Sequence, residues 1–213
     1  MEMVVIHGVD NVTSTLDITV TPVNDIPVAV NDNGNTTLED TATTIATITA
    51  NDTDDGTVDA STITLIDPNN PANTGNTTTP LVIPNVGTYT VDAAGNVTFT
   101  PVANYNGNAN VNYTVQDNEG VTSNVATVAI TVTPVNDAPV AVADTNTTQE
   151  DVTLSVNAAN GGLANDSDVE GTPLSVTQFT INGTTYTAGT TVSLTEGSIK
   201  INSDGSYTFN PAQ

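Results

Sequence analysis

Thr21-Pro22-Val23-Asn24-Asp25-Ile26-Pro27-Val28-Ala29-Val30 returns 112 positions later as Thr133-Pro134-Val135-Asn136-Asp137-Ala138-Pro139-Val140-Ala141-Val142. Three further landmarks recur in the same order. Glu39-Asp40 returns as Glu150-Asp151, and Ala50-Asn51-Asp52-Thr53-Asp54 returns as Ala164-Asn165-Asp166-Ser167-Asp168. Val97-Thr98-Phe99-Thr100-Pro101 returns as Tyr207-Thr208-Phe209-Asn210-Pro211. A chain rich in Thr and Asn repeats short words by chance, but four landmarks at nearly one spacing define a tandem repeat.

The phase of the repeat sets the expected domains. One whole unit runs over residues 26–137. A second occupies 138–213 and contains no counterpart of Asn104–Asp137, so it is expected to be a partial repeat lacking its last two strands. Residues 1–25 are expected to be the tail of a preceding repeat, its last strand and linker. Gly8–Asp25 matches Gly120–Asp137, whereas Met1–His7 does not match Tyr113–Glu119 and is not expected to be that strand. The chain reads as a window on a longer array. Met1 to Ile6 is too short for a signal peptide and carries Glu2 where a signal needs positive charge.

Within a unit, Val111-Tyr113-Val115 and Val128-Ile130-Val132 alternate with Asn, Thr and Ala at period two, the pattern of half-buried strands. Ile45, Ile48, Ile63, Leu65 and Val82 mark further short apolar segments. Asn182-Gly183 and Asp204-Gly205 read as two-residue hairpin turns, and Ala94-Gly95-Asn96 as the matching bend in the first unit. About seven short strands in a unit of this length predict an all-β immunoglobulin-like sandwich. Pro22, Pro27, Pro134 and Pro139 flank the Val-Asn-Asp junctions and should make them stiff, extended connectors.

Composition excludes several functions. Against 24 Asp and Glu stands one basic residue, Lys200, for a net charge of −23. No nucleic-acid footprint is possible without Lys and Arg, and anionic membrane surfaces are disfavoured for the same reason. No run approaches the length of a membrane span, so no membrane insertion is expected. With no Cys there are neither disulfides nor thiolate metal sites. No Trp and 4% aromatic residues supply a stacking platform poorly.

Catalysis lacks its residues. The single His, His7, lies in the segment that departs from the repeat, so Ser-His-Asp chemistry and His-ligated metals have no cast. Paired carboxylates could serve a glycosidase, but acids copied in every unit point to structure. What remains is hard-cation binding. Calcium takes six to eight oxygen ligands from carboxylates, amides and backbone carbonyls. Asp52/Asp54 and Asp166/Asp168 offer Asp-x-Asp, Glu39/Asp40 and Glu150/Asp151 offer Glu-Asp, and Asn24/Asp25 and Asn136/Asp137 offer Asn-Asp. None is an EF-hand loop, and the bland alternative is that they are solvated turn residues.

These motifs together resemble bacterial cadherin-like, Ig-like tandem repeats of large calcium-dependent surface adhesins, of RTX type or from Bacteroidetes. The carriers are Val-Asn-Asp-Ala-Pro-Val-Ala at Val135–Ala141, the Glu-Asp pairs, Ala-Asn-Asp-x-Asp, Phe99–Gly107 and Tyr113-Thr114-Val115. The resemblance covers Val9 to Gln213. It implies tandem cadherin-like sandwiches, Ca²⁺ as cofactor, and neighbouring repeats of the same chain as partners. By it, the internal junction draws ligands from Glu39, Asp40, Asn136, Asp137, Asp166 and Asp168. The incoming junction draws on Asn24, Asp25, Asp52, Asp54 and Asp117, while Asn104-Tyr105-Asn106 replaces a cadherin acidic pair and weakens that contribution.

Three functional readings follow. The first is a non-catalytic extender at the bacterial cell surface, outside the cell, stiffened by Ca²⁺; its adhesion target is not encoded in these motifs. The second is a set of accessory modules in a secreted polysaccharide-degrading or carbohydrate-binding protein. The third is assembly by strand donation, since the second unit lacks strands that the amino-terminal tail duplicates. Nine Asn-x-Ser/Thr sequons are what this composition yields by chance and read as turns.

Overall fold

The computed structural model describes residues 2–7 and 10–213, the first fifteen positions by backbone alone. The chain divides into two compact units, Met1–Pro134 and Val135–Gln213. Among the described residues every regular element is a strand except one 3₁₀ turn at Ala158–Asn160.

The first unit opens with a hairpin, β1 (Glu2–His7) and β2 (Asp10–Thr15), paired antiparallel from Glu2↔Thr15 to His7↔Asp10. Glu2–His7 forms a strand although its sequence does not match the repeat at Tyr113–Glu119. Val4-Val5-Ile6 has high strand propensity, and an adjacent partner suffices to pair it without the repeat's own sequence.

Two sheets then build the sandwich. β3 (Asp32–Leu38), β4 (Thr43–Ile45), β5 (Val58–Asp67), β6 (Asn70–Gly75) and β7 (Leu81–Ile83) are followed by β8 (Gly87–Val91) and β9 (Val97–Pro101). β10 (Gly107–Asn108), β11 (Val111–Asp117) and β12 (Ala126–Thr133) complete the unit. One sheet runs β10-β12-β11-β5-β6, with β3 added in parallel to β12; the other runs β4-β9-β8-β7. Ten strands thus stand where about seven were expected, because long loops break into short paired segments.

Period-two alternation dictates the core. Val111, Tyr113, Val115, Val128, Ile130, Ile63 and Leu65 point inward from the first sheet, and Leu81, Tyr89, Val97 and Phe99 from the second; all have no exposed surface. Tyr89 and Phe99 meet with ring centroids 4.7 Å apart. The Tyr89 hydroxyl donates to Ala109 O at 2.9 Å, which satisfies its buried polar tip.

The second unit keeps only part of this plan. β13 (Leu154–Val156), β14 (Gln178–Ile181), β15 (Thr184–Thr187), β16 (Thr191–Leu194), β17 (Gly197–Ile201) and β18 (Tyr207–Pro211) are its strands. The sheet β13-β18-β17-β16 reproduces β4-β9-β8-β7, but the facing sheet is reduced to the β14–β15 hairpin. Residues 138–213 hold no counterpart of β11, the strand that joins β12 to β5 in the first unit. The consequence is a thin core: Ile199, Tyr207 and Phe209 are only half-buried, and Val192 is the fully buried hydrophobic side chain of this unit.

The two turn expectations part ways. Asn182 and Gly183 have φ of 49° and 82°, as a two-residue hairpin with both central residues left-handed requires. Asp204-Gly205 is corrected: Gly205 alone is left-handed, at φ 80°, inside a five-residue connection closed by Gly205 N–H donating to Asn202 O. Its counterpart Gly95, at φ 81°, makes the same bend in the first unit.

Candidate metal site

The acidic landmarks of the first unit gather at two places. In one, linker, Asp-x-Asp loop and the turn after β11 converge. The Asn24 side-chain amide donates to Asp117 Oδ2 at 2.8 Å, although 93 positions separate them. Asp25 N–H donates to Asp55 Oδ1 at 3.2 Å, and Gly56 N–H to Asp54 Oδ2 at 2.9 Å. Asn118 Oδ1 receives Thr57 N–H at 3.0 Å. A Cβ on Gly56 would stand 2.6 Å from Asn118 Oδ1 and 3.1 Å from Asp54 Oδ2, so only glycine lets these side chains approach.

Asp117 is 2% exposed and well satisfied. The Asn24 amide, with the backbone N–H groups of Val121 and Glu119, holds its carboxyl below the usual range and keeps it ionised. Two oxygens in the cluster lack any donor. Asn24 Oδ1 and Asp54 Oδ1 are buried without a hydrogen-bond partner. Buried oxygens in a native fold are nearly always paired, so an unmatched amide oxygen and carboxylate oxygen beside an ionised Asp fit a hard cation. The donor set is mixed: among the described residues no group of three or more His, Cys, Asp or Glu is gathered for a metal.

Asp52 has a different place. Its Oδ1 receives Val30 N–H at 2.7 Å and lies 2.9 Å from the Tyr113 hydroxyl, which is also 3.1 Å from Val30 O and 3.2 Å from Ile48 O. This lock ties the linker, the Asp-x-Asp loop and the core strand together. Asp166 repeats half of it in the second unit, receiving Val142 N–H at 2.7 Å.

Asp32 lies beside Asp52. Burial, and then the Asp52 charge, push its carboxyl up to about 6, and burial raises Asp52 in the same direction. A folded-state value above the ordinary 3.8 means that folding favours the protonated acid. The contribution is therefore whole below about pH 4 and is lost as pH rises through about 6. In chelator, unfolding free energy is expected to fall by on the order of 1 kcal/mol across that window, the shift being damped by solvent at a half-exposed acid. Asp32→Asn should flatten the profile; denaturant titrations at pH 4, 5, 6 and 7 check it, and an unchanged slope refutes the assignment.

At the other place, the Glu-Asp pair is built into the fold. Glu39 is buried at 4% exposure, and its N–H donates to Thr133 O at 3.0 Å. The Asn106 side chain reaches Glu39 Oε2 at 3.5 Å. Asp40 is left-handed at φ 57° and accepts Asn104 N–H at 2.9 Å. Asp151, its counterpart, is left-handed too, at φ 63°.

In the second unit, Asp137 N–H donates to Glu170 Oε1 at 3.0 Å, much as Asp25 N–H does to Asp55, and Thr172 N–H donates to Asp168 Oδ1 at 3.0 Å. The Asn136 amide instead donates to Asp137 O at 2.7 Å. The sequence reading missed Asp32, Asp55, Asn118 and Asn124. Asn124 clamps the linker by accepting Ala29 N–H at 3.0 Å and donating to Ala29 O at 2.8 Å. Only repetition could have flagged Asp32 and Asp55: Asp144 aligns with the first, and the second unit also carries an acid, Glu170, between its Asp-x-Asp and the following Gly171.

Comparison with known proteins agrees with this organisation. A family model described as the bacterial cadherin-like domain matches twice, over residues 24–134 and 136–213. A search of curated proteins finds no match. Among solved structures the chain is similar to the titin domains Z1Z2 in complex with telethonin, at 15% identity and a TM-score of 0.32, covering 92% of this chain and 85% of that one. Among the described residues no helix is long and apolar enough to cross a membrane. Cadherin-like domains are typically extracellular, non-catalytic modules of adhesin or Ig-like type and generally bind Ca²⁺. With both repeats matched and the first built as a complete two-sheet sandwich, the chain belongs to the bacterial cadherin-like domain family.

Proposed function

We propose that the chain is an extender segment of a bacterial surface adhesin, in which Ca²⁺ stiffens the ends where neighbouring repeats meet. The observation that carries the reading is the pair of buried, unpartnered oxygens, Asn24 Oδ1 and Asp54 Oδ1, set with the ionised Asp117. Asn24, Asp54 and Asp117 would hold the ion, with Asp25 beside them. Asp52 serves the fold through Tyr113 and Val30. Without a cation, 24 acids against one base repel, and an acidic junction has reason to flex; a bound divalent ion reverses that balance. Secreted modules bind calcium at about 10⁻⁴ to 10⁻³ M, which suits calcium outside cells.

At free calcium tenfold above Kd, binding adds about 1.4 kcal/mol per site, a rise of a few degrees in Tm. Calorimetry in calcium and in EDTA measures it. The double change Asp54→Asn with Asp117→Asn is expected to remove the calcium-dependent part while leaving the EDTA melt within about 1 kcal/mol. A calcium gain that survives both substitutions would place the ion elsewhere, and no gain in the unaltered chain would sink the reading.

A further inference from the structure

Linker residues 28–30 run between two loops that carry candidate ligands. On one side, Val28 N–H donates to Thr53 O at 2.8 Å and Thr53 N–H to Val28 O at 3.0 Å. Val30 N–H donates to Asp52 Oδ1 at 2.7 Å, and Val30 O lies 3.1 Å from the Tyr113 hydroxyl. Val28 and Val30 thus face the Asp-x-Asp loop. Ala29 faces the other way, and a single side chain meets it. Asn124 Oδ1 accepts Ala29 N–H at 3.0 Å, and Asn124 Nδ2 donates to Ala29 O at 2.8 Å. Ala29 is 5% exposed, so its backbone groups need partners within the protein. One side-chain amide does here what a neighbouring strand does in a ladder.

Asn124 stands on the turn that carries Asp117. Asp117 Oδ1 accepts Glu119 N–H and Val121 N–H, both at 2.8 Å, and Asp117 N–H donates to Val121 O at 3.1 Å. Ser123 braces the far end. Its N–H donates to Val115 O at 2.9 Å, while its Oγ accepts Val115 N–H at 3.1 Å and donates to Asn124 O at 2.8 Å. Asp117 and Asn124 are therefore the two ends of one rigid turn fastened to β11.

Between Ala29 and Asn24 the linker has few free joints. Pro27 is buried with its φ fixed by the ring, and it holds Ile26 in extended backbone. A segment pinned at Ala29 and stiffened at Ile26-Pro27 leads back to Asn24, whose amide meets Asp117 Oδ2 at 2.8 Å. The linker thus touches the Asp117 turn at two points. The buried, unpartnered oxygens Asn24 Oδ1 and Asp54 Oδ1 come from the linker and from the loop that Val28 and Val30 hold against it.

We propose that Asn124 is the positioning residue of the cation site: by pinning Ala29 to the turn that carries Asp117, it sets where Asn24 presents its side chain. It does so without being a ligand, because its Oδ1 and Nδ2 are both engaged by backbone. What the site binds rests on the extender reading; where Asn24 lies does not. Groups that orient metal ligands from behind typically change metal affinity by about tenfold to a hundredfold.

Asn124 is exposed, so Asn124→Ala and Asn124→Asp leave the packing of the sandwich in place. In EDTA, NMR hydrogen exchange on the full chain should show the Ala29 amide and the Asn24 side-chain amide exchanging about tenfold faster in Asn124→Ala. In calcium, isothermal titration should give a Kd raised by about tenfold to a hundredfold in both variants. Asn124→Asp discriminates most sharply. Its added charge on the Asp117 turn would by itself draw a cation closer, whereas the clamp is lost because a carboxylate cannot donate to Ala29 O. Asn73→Ala removes a comparable bond between β6 and β7, from Asn73 Nδ2 to Val82 O at 2.8 Å, and should leave Kd unchanged. Unaltered exchange at the Asn24 amide, a Kd unmoved in Asn124→Ala or lowered in Asn124→Asp, or an equal rise in Asn73→Ala overturns the assignment. If the unaltered chain takes up no calcium, the extender reading falls, and exchange at the Asn24 amide in EDTA still decides whether Asn124 positions it.

Discussion

Tyr113→Ala is expected to cost the first unit about 4 kcal/mol, enough to leave it largely unfolded at 37 °C if it has the marginal stability usual for such domains. The side chain has no exposed surface and sits on the central strand of the larger sheet. Truncation leaves a ring-sized cavity between the sheets. It also strips Asp52 of a hydroxyl at 2.9 Å, leaving that carboxylate with the Val30 N–H alone among its close donors. Tyr113→Phe separates the two effects. It keeps the packing and removes the polar lock, for an expected loss of about 1 to 2 kcal/mol. Urea denaturation followed by tyrosine fluorescence and circular dichroism measures both, and a Phe variant as unstable as the Ala variant would show the hydroxyl to be the dominant part.

Gly87→Ala is expected to cost about 2 to 3 kcal/mol, although it adds a single methyl. The added carbon would stand 2.4 Å from Thr100 O and 2.5 Å from Phe99 Cε2. One of these is backbone in the paired strand β9, and the other is a ring with no exposed surface, so neither can move aside without disturbing the core. The neighbouring Thr88→Ala, on the outer face of the same strand, should stay within about 0.5 kcal/mol and serves as the control. Equal effects of the two substitutions would contradict the close approach.

Most of the fold was legible because both of its signals are local. Val111-Tyr113-Val115 and Val128-Ile130-Val132 alternate along the chain, and alternation alone decides which face is buried. Asn182-Gly183 names its turn because both residues tolerate positive φ. Asp204-Gly205 looks the same in one dimension, but its bend is set by packing: a Cβ on Gly205 would meet Leu163 Cγ at 2.8 Å. The candidate site was legible as a set of residue types at fixed spacing. Asn24 and Asp54 were named from the repeat and Asp117 from the family resemblance, while Asp52 and Asp54, two positions apart, make different contacts. Spacing does not separate them: Asp52 meets Tyr113, on a strand about 60 positions away, while Asp54 accepts the Gly56 N–H of its own loop.

Sequence alone determined that this is an all-β tandem repeat and that oxygen-bearing side chains dominate its polar groups. Each follows from composition and periodicity, which need no partner in space. Tertiary structure decided what the same words mean in different places. Ile130 is core and Ile18 is bare; Asp117 is held ionised while Asp32 is pushed toward protonation; Asn24 reaches Asp117 while Asn136 turns to its own neighbour. The physical reason is common to all three: burial, charge coupling and hydrogen bonding are properties of the groups that come close in the fold, and a repeat copies residues without copying their surroundings.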